Sequence, residues 1–240
     1  MIIPSPYLKP GDLEFYDEIY PAIDEKHYPR QSLIDEAILE IRDAKMRAES
    51  LGKSLIVSVS WGKDSCCLLR LVEMAGIGKI TIRTTHFDQS PEQRNPCAEQ
   101  VQNLYLESHD VNFSLNNDMR LWRYPEDEIA LTGLRAAEST IRRLSIGKLG
   151  LTTDRVSRPI GNWSTQDVFS FCHHESIPLP ATYAMLKHGE YDRQFIRTDE
   201  IGITGHRMAR KAWEEYYFPA QTRRATSMRS SIGEWADWDE

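Results

Sequence analysis

Apolar residues recur along this chain in two alternating rhythms. From Ser32 onward, Leu33, Ile34, Ala37, Ile38, Ile41, Ala44 and Ala48 return at helical spacing, with Ser32 and Asp35 as an S-x-x-D capping signal and Gly52 as the stop. The β-branched run Ser54–Ser60 then predicts a strand, and Cys66 to Ala75 predicts a helix closed by Gly76 and Gly78. A second strand is expected over Lys79 to Phe87, a helix from about Glu92 to Glu107, a third strand near Val111–Phe113 and a fourth at Ile129–Thr132, leading into a helical stretch from Arg135 to Leu144. Strands alternating with helices predict an α/β fold: a parallel sheet with helices on both faces, Rossmann-like, its core within residues 50 to 145.

The flanks read differently. The first 30 residues hold five prolines and four tyrosines without a sustained period, and predict an arm laid over the surface rather than an element of its own. Beyond the sheet, Ser164 and Asp167 cap a helix through His174, Pro178 and Pro180 break the chain, and Met208 to Tyr217 reads as a late helix. The expected organisation is therefore an arm (1–30), an α/β domain (31–185) and a helical, basic extension with an acidic tail (186–240).

Composition changes this picture little. At 240 residues, 40% hydrophobic and 27% charged, the chain is long enough to bury a sizeable core. No apolar run approaches the roughly 20 residues of a membrane helix, and the prolines between Met1 and Asp12 stand where a signal peptide would be greasy, so the expectation is a soluble, cytoplasmic protein without membrane partners. Cys66, Cys67, Cys97 and Cys172 lack C-x-x-C spacing and read as buried thiols; no metal site and no iron-sulfur cluster is predicted. The adjacent His173 and His174 are given no metal role. The net charge of −7 divides into −8 over residues 1–130, +5 over 131–230 and −4 over 231–240. One face of the later segment is thus a candidate for anions.

Chemistry concentrates in Ser58-Val-Ser60-Trp61-Gly62-Lys63-Asp64-Ser65, between the first strand and the next helix. In open parallel sheets, ligands bind beyond the carboxyl ends of strands, where a helix amino terminus offers N–H groups to phosphate. Gly62 lets backbone approach an anion, Lys63 adds charge, Ser60 and Ser65 can donate hydroxyl hydrogen bonds, and Asp64 suits helix capping or a nucleotide-borne magnesium ion. The loop does not match G-x-x-x-x-G-K-[ST]. It resembles the S-G-G-x-D-S signature of the PP-loop ATP pyrophosphatase superfamily, with Trp61 where a glycine normally stands. That substitution is costly if the position needs a positive φ.

Two further segments are similar to PAPS (phosphoadenosine phosphosulfate) reductases and their relatives. Gly133-Leu-Arg135-Ala-Ala-Glu138-Ser-Thr-Ile-Arg142 resembles their G-x-R-x-x-E-S-x-x-R stretch; if helical, Glu138 orients the guanidinium groups of Arg135 and Arg142 towards one anion. Arg158-Pro-Ile-Gly-Asn-Trp163-Ser-Thr-Gln-Asp-Val168, with Ile177-Pro178 and Tyr183, resembles the following P-I-x-x-W segment. His86–Glu92 matches its family counterpart poorly, leaving Asp88 as a ribose contact or a turn cap. The three ordered motifs cover about residues 50 to 185.

The resemblance implies an enzyme that binds ATP with Mg2+ and cleaves its α–β phosphoanhydride, with Lys63, Asp64 and Arg135 catalytic and Ser58, Ser60, Trp61, Gly62, Ser65, Asp88, Gly133, Glu138 and Arg142 binding the nucleotide. No cysteine follows Cys172, so the E-C-G-x-H nucleophile of the reductases is missing. What the resemblance leaves is adenylylation of an acceptor for sulfur transfer, with DNA backbone phosphorothioation as the leading case and a cysteine desulfurase and modification-complex proteins as implied partners. A PAPS or adenylylsulfate reductase using Cys66 or Cys67, and an inactive nucleotide- or nucleic-acid-binding module, remain the alternatives. Arg142, Arg143, Arg207, Arg210, Arg223 and Arg224 exceed what one nucleotide needs and are candidates for a second anion such as DNA.

Overall fold

The computed structural model describes residues 1–84, 94–113, 125–198, 201–202 and 208–224. The expectations placed on residues 86–92, Asp88 among them, on Arg207 and on the acidic tail lie outside these residues.

The centre is a five-stranded sheet in which every pair is parallel, ordered β3-β2-β1-β4-β5. The strands are β1 (Ser54–Val59), β2 (Thr81–Thr84), β3 (Asn112–Phe113), β4 (Glu128–Thr132) and β5 (Val156–Ser157). Four fall where alternation predicts them. The fifth lies beyond the expected limit of residue 145: two residues are too short to carry a period, and β5 is set by pairing Ala130 with Val156 and Leu131 with Ser157. Every residue of β4 is buried, as expected for a strand covered on both faces.

Helix α2 (Gln31–Ser50) buries Ile34, Ala37, Ile41, Ala44 and Ala48 and packs on β1, β4, β5 and α3 (Lys63–Ala75). The capping signal at Ser32 is not used. The helix begins two residues earlier, with Arg30 at the cap position, and Ser32 lies in its first turn while Gln31 Nε2 donates to Asp35 Oδ1 at 3.0 Å. Helix α3 likewise starts at Lys63, inside the loop motif rather than after it. Helix α4 (Pro96–Ser108) is capped by Asn95, whose Oδ1 accepts from the N–H of Cys97 at 3.0 Å and of Ala98 at 3.4 Å.

The amino-terminal arm carries an element after all, helix α1 (Asp12–Lys26), running through Pro21. Its buried residues are Asp12, Tyr16 and Asp24, so hydrophobic periodicity could not reveal it. A buried ion pair holds it instead: Arg193 clamps Asp24 with Nη2–Oδ1 and Nη1–Oδ2 distances of 2.5 and 2.6 Å, reaches Tyr16 Oη at 3.2 Å, and lies 4.2 and 4.1 Å from the ring centres of Tyr20 and Phe169. Ahead of it, Ile3 N–H donates to Leu179 O at 2.9 Å and fixes the chain start on the core.

Helix α5 (Thr140–Leu149) follows β4. Helix α6 (Thr165–His174) opens with the predicted capping box, Ser164 Oγ accepting from Asp167 N–H at 3.0 Å and Asp167 Oδ2 from Ser164 N–H at 2.8 Å. It packs on α1 and α3. Helix α7 (Met208–Tyr217) coincides with the predicted late helix, and Trp213 Nε1 ties it to Met185 O at 2.8 Å. No helix among the described residues is long and apolar enough to cross a membrane.

Candidate functional site

The strand order reverses at β1. From β1 the chain moves outward through β2 to β3, then returns to place β4 on the other side, so the loops leaving β1 and β4 diverge and open a crevice at their carboxyl ends. The loop after β1 is Ser60–Gly62, leading into α3; the loop after β4 is Gly133–Arg135. Both sequence motifs therefore meet at the switch point, although 71 residues separate Asp64 from Arg135.

Trp61 has φ +58°, the left-handed conformation that makes glycine the ordinary choice there, and it is fully buried. The indole offsets the strain by packing on Tyr105, ring centres 5.7 Å apart, and by donating from Nε1 to Thr84 Oγ1 at 3.0 Å. The backbone of a glycine loop is kept, and the side chain locks it to β2 and α4. At the next position a Cβ on Gly62 would stand 2.6 Å from Thr198 Oγ1 and 3.2 Å from Tyr183 Oη, so only glycine fits beneath them.

Lys63, 5% exposed, sits over the rings of Phe169 and Tyr183 and donates from Nζ to Asp64 Oδ2 at 2.7 Å. Its own N–H donates to Tyr183 Oη at 3.0 Å. Across the crevice, Arg135 is 1% exposed; its Nε reaches Asp64 Oδ1 at 2.6 Å, and its Nη1 reaches Trp163 O at 3.2 Å and Thr165 Oγ1 at 3.4 Å. The approach depends on Gly133, where a Cβ would come within 2.9 Å of the Asp64 carbonyl carbon. Burial alone would raise the Asp64 carboxyl, but Lys63 and Arg135 on its two oxygens hold it below the ordinary carboxylate value. Asp64 is thus an ionised carboxylate between two cations and not a helix cap, since the N-cap of α3 is Gly62.

Other predicted residues have separate duties. The Ser65 hydroxyl donates back to Gly62 O at 3.0 Å and closes the first turn of α3. Arg135, Glu138 and Arg142 do not share one helical face: residues 136–138 form a 3-10 turn, Ser139 is extended at φ −164° and ψ 158°, and α5 starts afresh at Thr140. Glu138 accepts from the Arg135 N–H at 2.8 Å and pairs with the Arg142 side chain, while the Arg135 guanidinium turns the other way to Asp64. Of the basic residues proposed for a second anion, Arg210 pairs with Glu214 at 2.9 Å and Arg142 with Glu138, whereas Arg143, Arg223 and Arg224 are exposed.

Tyr183 and Thr198 cover the loop backbone, and sequence reasoning gave neither a role. Tyr183 at least stood inside the segment that resembles the family; Thr198 had no signal. All four cysteines are free and buried. Burial pushes Cys66 and Cys67 well above the ordinary thiol value, so neither supplies the thiolate that a reductase built on them would need. His173 pairs with Glu25 at 3.0 Å and His174 meets His27 O at 3.1 Å, both joining α6 to α1. Among the described residues no group of three His, Cys, Asp or Glu is arranged to hold a metal ion.

No protein-family model and no curated protein sequence matches the chain. Among solved structures it is similar to the U34-tRNA thiolase NcsA from Methanococcus maripaludis with its 4Fe-4S cluster, with a TM-score of 0.42 and 10% identity over 87% of this chain and 83% of that one.

Proposed function

We propose that the chain is a PP-loop ATP pyrophosphatase of the PAPS reductase-like kind, which adenylylates an acceptor for sulfur transfer. The observation that carries this reading is the Lys63–Asp64–Arg135 arrangement at the switch point, on the first turn of α3 beside the Trp61–Gly62 backbone. Two buried cations share one carboxylate there, and an incoming polyphosphate has the charge to take either cation from it. Asp64, a hard oxygen donor at that helix start, is the residue that would hold magnesium, which when bound would neutralise charge on the leaving group.

In the proposed step an oxygen of the acceptor attacks the α-phosphorus. The bond from that phosphorus to the bridging oxygen of the β-phosphate breaks, and pyrophosphate leaves with the electron pair. Lys63 and the α3 amino terminus stabilise the charge that develops on pyrophosphate, and Arg135 holds the nucleotide in register. The product is an adenylylated acceptor awaiting a sulfur nucleophile. A DNA backbone phosphate is the acceptor this reading favours, with the exposed Arg223 and Arg224 as its contacts and a desulfurase as the sulfur source.

The test is pyrophosphate release from ATP with magnesium, with and without duplex DNA and a cysteine desulfurase. Lys63→Ala is expected to lower turnover by about 100-fold, the scale of removing one preorganised charge. Neither ATP binding nor pyrophosphate release by wild-type protein would sink the nucleotide reading. Release that DNA never stimulates, with other acceptors active, would sink the DNA reading alone.

A further inference from the structure

Away from the crevice, helix α5 lies on the protein with only Ile146 buried. Its outer arc carries Ile141, 80% exposed, and Leu144, 67% exposed, together with Arg143 and Lys148. Phosphate contacts would use the two cations and leave both large aliphatic side chains in water, so the arc suits a protein surface better than a nucleic acid. Gly147 sits on the same arc. A Cβ there would meet nothing within 4 Å, so this chain's own packing does not require a glycine, although one in mid-helix is destabilising relative to alanine. A surface that packs closely against the arc would explain it.

The complementary surface begins where α5 ends. Leu151, with Pro159 and Trp163, joins Leu33 and Leu39 of α2 in lining a groove of about 230 Å³ to which α2 also contributes Glu36, Glu40 and Asp43. The groove wall is fixed, because Glu40 Oε1 accepts from the hydroxyls of Ser157, at 2.8 Å, and Thr152. Among the described residues Glu36 and Asp43 form no ion pair, and neither do Arg143 and Lys148. The described residues thus present an aliphatic helix arc with cations unpaired among them next to a partly apolar groove with carboxylates unpaired among them. Gly150 alone separates the end of α5 from Leu151 in the groove wall.

We propose that two copies of this chain form a two-fold dimer in which α5 of each lies in the α2 groove of the other. A two-fold axis near Gly150 brings each arc onto the other copy's groove, seats Ile141 and Leu144 against Leu33, Leu39 and Leu151, and opposes Arg143 and Lys148 to Glu36 and Asp43. This inference does not rest on the nucleotide reading: of the groove's lining, Trp163 alone meets the crevice, through its carbonyl on Arg135.

The experiment is sedimentation equilibrium of the full chain. Wild type is expected as a dimer that weakens as salt is raised, and Leu144→Glu as a folded monomer, with circular dichroism and the unfolding midpoint confirming the fold. The decisive arm uses Arg143→Glu/Lys148→Glu and Glu36→Lys/Asp43→Lys. Each alone opposes like charges across the two-fold and is expected to be a monomer, whereas an equimolar mixture is expected to form a 1:1 heterodimer. Wild type that stays monomeric up to about 1 mM would overturn the proposal. So would a dimer that persists in Leu144→Glu and in both charge variants, because association would then use another face.

Discussion

Arg135 Nε stands 2.6 Å from Asp64 Oδ1, so one hydrogen-bonded ion pair closes the crevice between the ends of β1 and β4. The guanidinium is almost wholly buried, whereas the Asp64 side chain keeps 20% of its exposure. That asymmetry sets the cost of breaking the pair. Removing one partner of a buried pair costs about 3–5 kcal/mol, and the water reaching Asp64 places Arg135→Ala near the lower end. The expected loss, measured by urea unfolding, is thus about 3 kcal/mol, with Arg135→Lys recovering only part because a lysine cannot also reach Trp163 O. A loss below about 1 kcal/mol would mean that the pair behaves as a surface contact.

The same pair has a pH signature. Asp64 titrates below its unfolded value, so its contribution to stability is present above the unfolded carboxylate pKa of about 4 and is lost as pH falls through the lower, folded value. Comparing wild type with Asp64→Asn across the acid range, the stability difference should be constant from about pH 5 to 8 and shrink below about pH 4. A difference that instead grows on acidification would reverse the assigned direction.

Trp61 sets strain against packing. A non-glycine residue in the left-handed region costs roughly 1–2 kcal/mol, whereas deleting a buried aromatic side chain costs roughly 3–5 kcal/mol. Trp61→Gly is therefore expected to destabilise the protein by about 2 kcal/mol even though it restores the usual loop glycine. Trp61→Phe keeps most of the packing and loses the bond to Thr84, for about 1 kcal/mol. Denaturant midpoints of the two variants check the ordering, and a Trp61→Gly protein more stable than wild type would show that strain dominates.

What the sequence disclosed follows from where the signal resides. β1, β4 and α6 declare themselves through β-branched runs and the Ser164–Asp167 capping box, because those cues are local. The loop motif was legible for the same reason, and so was the cost of a tryptophan in it. α1 was not, since its attachment is the Asp24–Arg193 pair, whose members lie 169 residues apart. The direction of Arg135 was also hidden. Spacing alone favoured a continuous helix through Glu138 and Arg142, whereas Arg135 is itself extended at φ −124° and ψ 147°, and the close approach at Gly133 brings its loop against Asp64.

Tyr183 provides the test closest to the proposed chemistry. Its hydroxyl oxygen accepts the N–H of Lys63 at 3.0 Å, a place that a phosphate oxygen could take at a helix amino terminus. Tyr183→Phe leaves that buried N–H without its partner and should cost about 1–3 kcal/mol in the nucleotide-free protein. If ATP with magnesium supplies an oxygen to the same N–H, part of that loss returns on binding. The thermal shift caused by saturating nucleotide should then be larger in Tyr183→Phe than in wild type, by several degrees for a chain of this length. The alternative is that the hydroxyl and the phosphate occupy different places, in which case nucleotide shifts both proteins equally. Equal shifts would therefore remove the Lys63 amide from the phosphate site while leaving the Lys63 side chain free to serve it.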